Sequence, residues 1–248
     1  MKHSSHYINI ICELGLKNHA LMKQCTRLGL EDGVPELKTI DQCLWQLLYY
    51  YKSNAFDFID VVASGTTLLV GEGNLSFSIS LIRKQRVDPR LITCATYESL
   101  SELSDIAINN ARKLKSAGVT VKHGVDATQL SQSFGSQKFR TIVFQFPHAG
   151  SREPIRGRNP NFILLRDFLG SACNHLYPDG QILVTTVDNP HYRGAFQFDE
   201  AVKNAGFTSP QHYPFDPNDF PDYTHTMKHD AGSALSQHNT FSTWVFKR

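Results

Sequence analysis

Five short clusters in this chain bring together residue types that do chemistry. They are Gly71-Glu72-Gly73-Asn74, Tyr97-Glu98, Asp126-Ala127, Gln145-Phe146-Pro147-His148 and Asp188-Asn189-Pro190. Two glycines one residue apart permit positive φ and a close approach of backbone to a ligand. A carboxylate such as Glu98, about 25 residues further on, can accept two hydrogen bonds from ribose hydroxyls. Asp126 can hold an exocyclic amino group. An amide and an aromatic ring, Gln145 and Phe146, would sit beside a reacting centre. His148 offers a neutral imidazole near pH 7 and so a general base. Plainer readings exist for each: an early helix-turn acid for Glu98, a turn former for Asp126, an exposed loop residue for His148.

These clusters need elements that hold them together. Thr66 to Val70 reads as a buried parallel strand, and Phe77, Ile79, Leu81 and Ile82 give the next helix a face to bury, with Asn74 or Ser76 as its cap. Further strands are expected at 90–97, 119–123, 139–146 and 181–187, with a turn at Pro178-Asp179-Gly180. Helices are expected from a Ser99 or Ser101 cap to Gly118, over 161–177 and over 195–205. The alternating stretch 239–246 suits an antiparallel edge. Strand-helix alternation of this kind gives an α/β fold with an open, doubly wound, mostly parallel sheet. Each cluster then stands at the carboxyl end of a strand, where such sheets bind ligands. Residues 1–65 differ: Lys38 to Ser53 is apolar at helical spacing, and a second short helix follows near Phe58, which reads as a helical N-terminal extension before a main domain of 66–248.

The order of strand-end groups suits S-adenosylmethionine better than NAD, because the dinucleotide fingerprint G-x-G-x-x-G has Ser76 where its third glycine belongs. Arg152, Arg156 and Arg158, three cations in a loop after the fourth strand, suit phosphate contacts or are a solvated loop. The chain has 248 residues and a formal net charge of +2, which neither demands nor excludes a nucleic-acid partner. No apolar run approaches the roughly 20 residues of a bilayer span, so no membrane partner is expected. Five scattered cysteines without a C-x-x-C pair point to neither a disulfide framework nor a zinc site, and to a reducing cytoplasm. The tail histidines lack metal-ligand spacing on one element, so no metal is expected.

Leu68-Leu69-Val70-Gly71-Glu72-Gly73-Asn74-Leu75-Ser76-Phe77-Ser78 resembles the L-V-G-E-G-N-F-S-F-S signature of the Rossmann-like large-subunit rRNA uridine-N3 methyltransferases. Ala95-Thr96-Tyr97-Glu98-Ser99 is similar to the family's A-T-S-Y-D-S, Gly124 to Thr128 to its G-V-D-A-T, and Phe144 to Gly150 to its F-N-F-P-H-x-G. Asn161, Leu164, Leu165, Phe168 and Ser171 fit its N-x-x-L-L-x-x-F-x-x-S-A helix. Pro190-His191-Tyr192 and Pro221-Asp222-Tyr223-Thr224-His225 fit its later segments. In some eukaryotic relatives this domain is joined to a ferredoxin-fold anticodon-binding domain.

The resemblance covers about residues 66 to 248 and implies a class I methyltransferase sheet. The implied cofactor is S-adenosylmethionine, held by Gly71, Glu72, Gly73, Asn74, Tyr97, Glu98, Asp126, Ala127 and Phe146. The implied partner is RNA, with Gln145 and His148 at the chemistry and Pro147, Arg152, Arg156, Arg158, Asp188 and Tyr192 on the substrate side. Gln145 stands where the family has asparagine, and Thr186-Val187-Asp188 replaces a segment that usually carries lysine. Those substrate-side departures keep a small-molecule enzyme using the same cofactor, or a non-catalytic cofactor-binding protein, as alternatives.

Overall fold

The computed structural model describes residues 2–29, 34–53, 56–151, 153–203, 205–225, 238 and 240–248. It divides into two compact units, one of Met1–Asp57 with Tyr213–Phe215 and one of Phe58–His212 with Asp216–Arg248. In the first, α1 (Lys2–Arg27) packs on α2 (Val34–Ser53), and Asn18, buried, donates its side-chain N–H to the Leu37 carbonyl at 2.8 Å. Helix α2 covers the expected 38–53 segment, whereas α1, with Leu14, Leu16 and Leu21 exposed, is not among the expected helices.

The second unit opens with α3 (Phe58–Ala63) and runs through β1 (Thr67–Val70), α4 (Ser76–Ile82), β2 (Ile92–Ala95), α5 (Asp105–Ser116) and β3 (Thr120–Lys122). It continues with α6 (Leu130–Phe134), β4 (Phe139–Gln145), α7 (Pro160–Cys173), β5 (Leu176–Val187), α8 (Pro190–Phe196) and α9 (Phe198–Ala201). Strand β6 (Gln211–Pro214), of which Tyr213 and Pro214 count with the first unit, and strand β7 (Phe241–Lys247) follow. The sheet order is β3-β2-β1-β4-β5-β7-β6, with β7 antiparallel to β5 and the β1, β2, β3, β4 and β5 pairings parallel. This is the doubly wound, mostly parallel sheet expected, with β4 at its centre. The chain winds outward from β1 to β3 and then returns to β4, so the direction of winding reverses between β1 and β4. Loops leave β1 and β4 on opposite faces there and open a crevice.

Alternation along the strands builds the core. Leu68, Val70, Ile142, Phe144, Ile182 and Val184 share one buried cluster with Leu165, Phe168 and Leu169 of α7. Phe144 and Phe168 meet edge to face at 5.0 Å. A second aromatic group joins α3, α4 and the tail: Phe77 lies 5.8 Å from Phe58, 4.8 Å from Phe220 and 5.1 Å from Tyr223.

Several element boundaries differ from the sequence pattern. Pro89 to Leu91 form a helical turn capped by Asp88, so β2 starts only at Ile92. Ser99 and Glu102 close a capping box on a short turn, with Glu102 accepting the Ser99 N–H at 2.9 Å, and Ser104 caps α5 instead. Pro178-Asp179-Gly180 is a bulge within β5 rather than a turn before it: Phe139 pairs with Leu176 and Thr141 with Gln181. Helix α7 therefore ends at Cys173. The expected 195–205 helix instead starts at Pro190 and breaks where Gln197 adopts φ 46. Among the described residues no helix is long and apolar enough to cross a membrane.

Phe168→Ala removes a fully buried ring from this core. It is expected to lower unfolding stability by about 3–5 kcal/mol, read from denaturant midpoints at unchanged m-value.

Candidate functional site

A cleft of about 1100 Å³ lies at the carboxyl ends of the strands, where winding reverses. Gly71 to Leu75 after β1, Tyr97 and Glu98 after β2, Val125 to Thr128 after β3, Phe144 to Ser151 from β4, and Thr186 and Val187 of β5 all line it. Sites for drug-sized ligands run to about 300–1000 Å³, so the cleft has room for a nucleoside-sized cofactor and part of a second molecule.

The glycine turn is fixed sterically. Gly71 has φ +67, and a Cβ there would collide with the Phe144 ring. The Glu72 N–H donates to the Ala95 carbonyl at 3.1 Å, which joins the turn to β2. The Glu72 carboxyl is buried, and its Oε2 accepts the Ser78 N–H at 3.2 Å. Burial pushes its pKa up to about 7, against the pull of Ser78. Asn74 spends its whole amide on the fold. Its Nδ2 donates to the Thr224 carbonyl at 2.8 Å and to the Thr224 hydroxyl at 3.1 Å, and its Oδ1 accepts the Ser76 N–H at 3.0 Å. The Ser76 hydroxyl donates to the Thr224 carbonyl and accepts the Thr224 N–H, at 3.1 and 3.0 Å. The tail is thereby knotted to the start of α4, and Tyr223 and His225 become a wall of the cleft.

Glu98 is half-buried at the cleft and Tyr97 is exposed beside it. Asp126 lines the cleft and also caps a turn. One oxygen accepts the Thr128 N–H and hydroxyl at 2.8 and 2.7 Å, and the other accepts the Gln129 amide at 3.0 Å. Burial raises its pKa, but these hydrogen bonds outweigh burial and hold the carboxyl below its ordinary value. Asp126 is thus a turn former that also lines the cleft. Ala127 is buried behind it.

At the end of β4, Gln145 is buried, and neither its Oε1 nor its Nε2 has a hydrogen-bond partner among the described residues. Thr186, named from the sequence only as part of a substituted segment, is 2% exposed, and its hydroxyl is likewise unpartnered among them. Phe146 adopts φ 47, an uncommon conformation for a bulky residue, and its ring meets His225 at 5.3 Å and Phe241 at 5.6 Å. Pro147 is buried and His148 exposed. The loop is pinned by Asn161, whose Oδ1 accepts the Ala149 N–H at 3.0 Å, and the Gly150 N–H donates to His148 Nδ1 at 2.9 Å.

The expected substrate-side residues divide. Tyr192 lines the cleft. Asp188 does not: its Oδ1 accepts two N–H groups of Arg193 at 2.9 and 2.7 Å and its Oδ2 accepts the Ser242 hydroxyl at 2.6 Å, contacts that join α8 to β7. Burial raises its pKa, yet Arg193 and Ser242 prevail and keep it low. Arg152 lies outside the described residues. Arg156 sits in an exposed turn with φ 51, outside the cleft lining. Arg158 lines a separate depression of about 600 Å³ with Arg193, Lys203 and Trp244. The sequence read those cations as one mouth because they are close in the chain. The tight turn at Ile155–Arg158 takes Arg156 and Arg158 away from the cleft lining.

Residues 68–227 match the family described as "BMT5-like: rRNA (uridine-N3-)-methyltransferase BTM5-like". A mouse (Mus musculus) protein, "Ferredoxin-fold anticodon-binding domain-containing protein 1 homolog", is 37% identical over 123 residues, which is 48% of this chain and 19% of that protein. "Uncharacterized protein At4g26485" of Arabidopsis thaliana is 39% identical over 128 residues, 48% of this chain and 61% of that protein. The chain thus spans from 19% to 61% of the length of these curated relatives. Among solved structures, that of the pyocyanin biosynthetic protein PhzM aligns with 93% of this chain and 61% of its own, at 10% identity and a TM-score of 0.48.

Two outcomes follow from the geometry. Asn74→Ala removes both bonds to Thr224 and should raise the exchange rate of the Thr224 amide at least tenfold by hydrogen exchange. For Glu72, the folded pKa of about 7 lies above the ordinary 4.5, so the folded protein keeps a proton that the unfolded chain releases. Its contribution is undiminished below pH 4.5 and falls as pH rises to 7. The stability of ligand-free Glu72→Gln relative to wild type should therefore increase across that window, by on the order of 3 kcal/mol in urea titrations.

Proposed function

The chain belongs to the BMT5-like rRNA (uridine-N3-)-methyltransferase family, and on that premise we propose that it transfers a methyl group from S-adenosylmethionine to N3 of a uridine in structured RNA. The observation that carries this reading is Gln145. A buried amide with both polar atoms unpaired costs the ligand-free fold about 1–3 kcal/mol per group. Such a group persists where a ligand satisfies it. A uracil edge offers carbonyl oxygens to Nε2, and negative charge spreads onto those oxygens as N3 loses its proton, so a fixed N–H there stabilises the transition state more than the ground state.

The residues present fit the cofactor. We take the turn Gly71-Glu72-Gly73-Asn74 to bring backbone to the cofactor, Glu98 to accept the ribose hydroxyls, and Asp126 with Ala127 and Tyr97 to bound the adenine; all of them line the cleft. When bound, the cofactor supplies an electrophilic methyl group on a sulfonium. The chain's own part is to align the base. Phe146 offers a ring for stacking, Pro147 and Tyr192 border the base, and Gln145 and Thr186 fix its edge. His148, exposed, lines the same cleft. Arg152, Arg156 and Arg158 contact phosphates further along the RNA. We assign both ligands to the sheet unit and leave α1 and α2 as a separate extension. The five unbridged cysteines suit a reducing cytoplasm.

Calorimetric titration with S-adenosylmethionine is expected to give micromolar affinity, about −8 kcal/mol, weakened at least tenfold by Asp126→Ala. Gln145→Ala should lower methyl transfer to an rRNA fragment by about 10²–10³-fold while leaving cofactor affinity unchanged. Retained cofactor binding with no RNA binding at low salt would instead turn the search to a small-molecule acceptor.

A further inference from the structure

We infer that His225, rather than His148, accepts the N3 proton, and that His148 serves as a hydrogen-bond donor beside it. The inference rests on the uridine-N3 reading above. A backbone N–H can only donate, so the Gly150 N–H at 2.9 Å occupies the lone pair on His148 Nδ1. The neutral ring then carries its proton on Nε2. In this geometry neither nitrogen of His148 has a lone pair to offer. The arrangement is built in, because Pro147 is buried and Asn161 fixes the Ala149 N–H at 3.0 Å, which sets the loop on which the ring stands.

His225 lines the same cleft as Gln145. The residue before it is fastened to Asn74 and Ser76, and its ring is set against Phe146 at 5.3 Å and Tyr223 at 6.4 Å. Burial, with His148 close by, lowers its pKa, so the ring is neutral at pH 7 and one nitrogen is an acceptor. The titratable groups sharing the cleft include Glu72, Glu98, Asp126, His148, Tyr192 and Tyr223. Glu72 has its Oε2 on the Ser78 N–H and its Oε1 buried without a hydrogen-bond partner among the described residues, both oxygens of Asp126 are engaged, and Glu98 stands at the end of β2, on the side given to the ribose. Tyr223 is held protonated by burial and by Glu72. In the step, N3 gives its proton to an imidazole nitrogen of His225 and its electron pair to the methyl carbon. The C–S bond breaks with its pair left on sulfur, and the proton passes later to water.

The test uses the full chain, S-adenosylmethionine and a uridine-containing rRNA fragment, with the pH profile of kcat recorded for wild type, His225→Ala, His225→Gln and His148→Ala. The expected result is a loss of 10²-fold or more for both His225 variants with cofactor affinity unchanged, the range general-base catalysis supplies. Added imidazole should restore turnover in His225→Ala, and the acidic limb of the wild-type profile should vanish in it while persisting in His148→Ala. Turnover of His225→Ala within threefold of wild type, or an unchanged acidic limb, overturns the inference and leaves the methyltransferase reading standing. Loss of cofactor binding in both His225 variants also overturns it, by making the residue a structural one. A wild-type protein that binds the cofactor but methylates no uridine overturns the uridine reading itself, and the inference with it.

Discussion

The knot between Asn74, Ser76 and Thr224 is the interaction on which the cleft depends. It joins a turn near the start of the sheet unit to a segment 150 residues later in the chain. Without it the strand ends would still form a crevice, but an open one. With it, Tyr223 and His225 close against Phe146, and Phe220 seats on Phe77 at 4.8 Å. Asn74 thus serves the site indirectly, since its amide is consumed in holding the wall.

The crevice follows from topology. A sheet that winds outward from β1 and then restarts at β4 must leave a gap between the two departing loops. What fills that gap is costly to the fold alone. Gln145 and Thr186 are buried with unsatisfied polar atoms, Phe146 is held at positive φ, and Glu72 has a carboxyl pushed up to about 7. Each is a local departure from what stability favours, and they cluster at one place. Strain and unsatisfied groups gather where a ligand completes the structure. Asp188 is the contrast: its carboxylate is paired with Arg193 and Ser242.

The contrast between Asp188 and Gln145 shows how far residue type and position along a strand reach. Both stand at strand ends, and both looked functional. A strand end fixes where the backbone goes; which way the next side chain turns depends on what waits there. Arg193 on α8 waits for Asp188, and nothing among the described residues waits for Gln145. Arg156 and Arg158 diverge for a similar reason, because the turn between them reverses the chain within four residues.

Apolar periodicity and glycine spacing by themselves determined the alternating α/β order, the glycine turn and the set of strand-end groups. These are local or repetitive properties, fixed by backbone sterics and by the need to bury one face of each element. The tertiary structure alone decided that Thr186, Tyr223 and His225 share the cleft, that Asp188 does not, and that the proton of neutral His148 sits on Nε2. Those outcomes depend on contacts between segments far apart in the chain, or on a single backbone N–H aimed at a ring nitrogen. No spacing rule encodes either one.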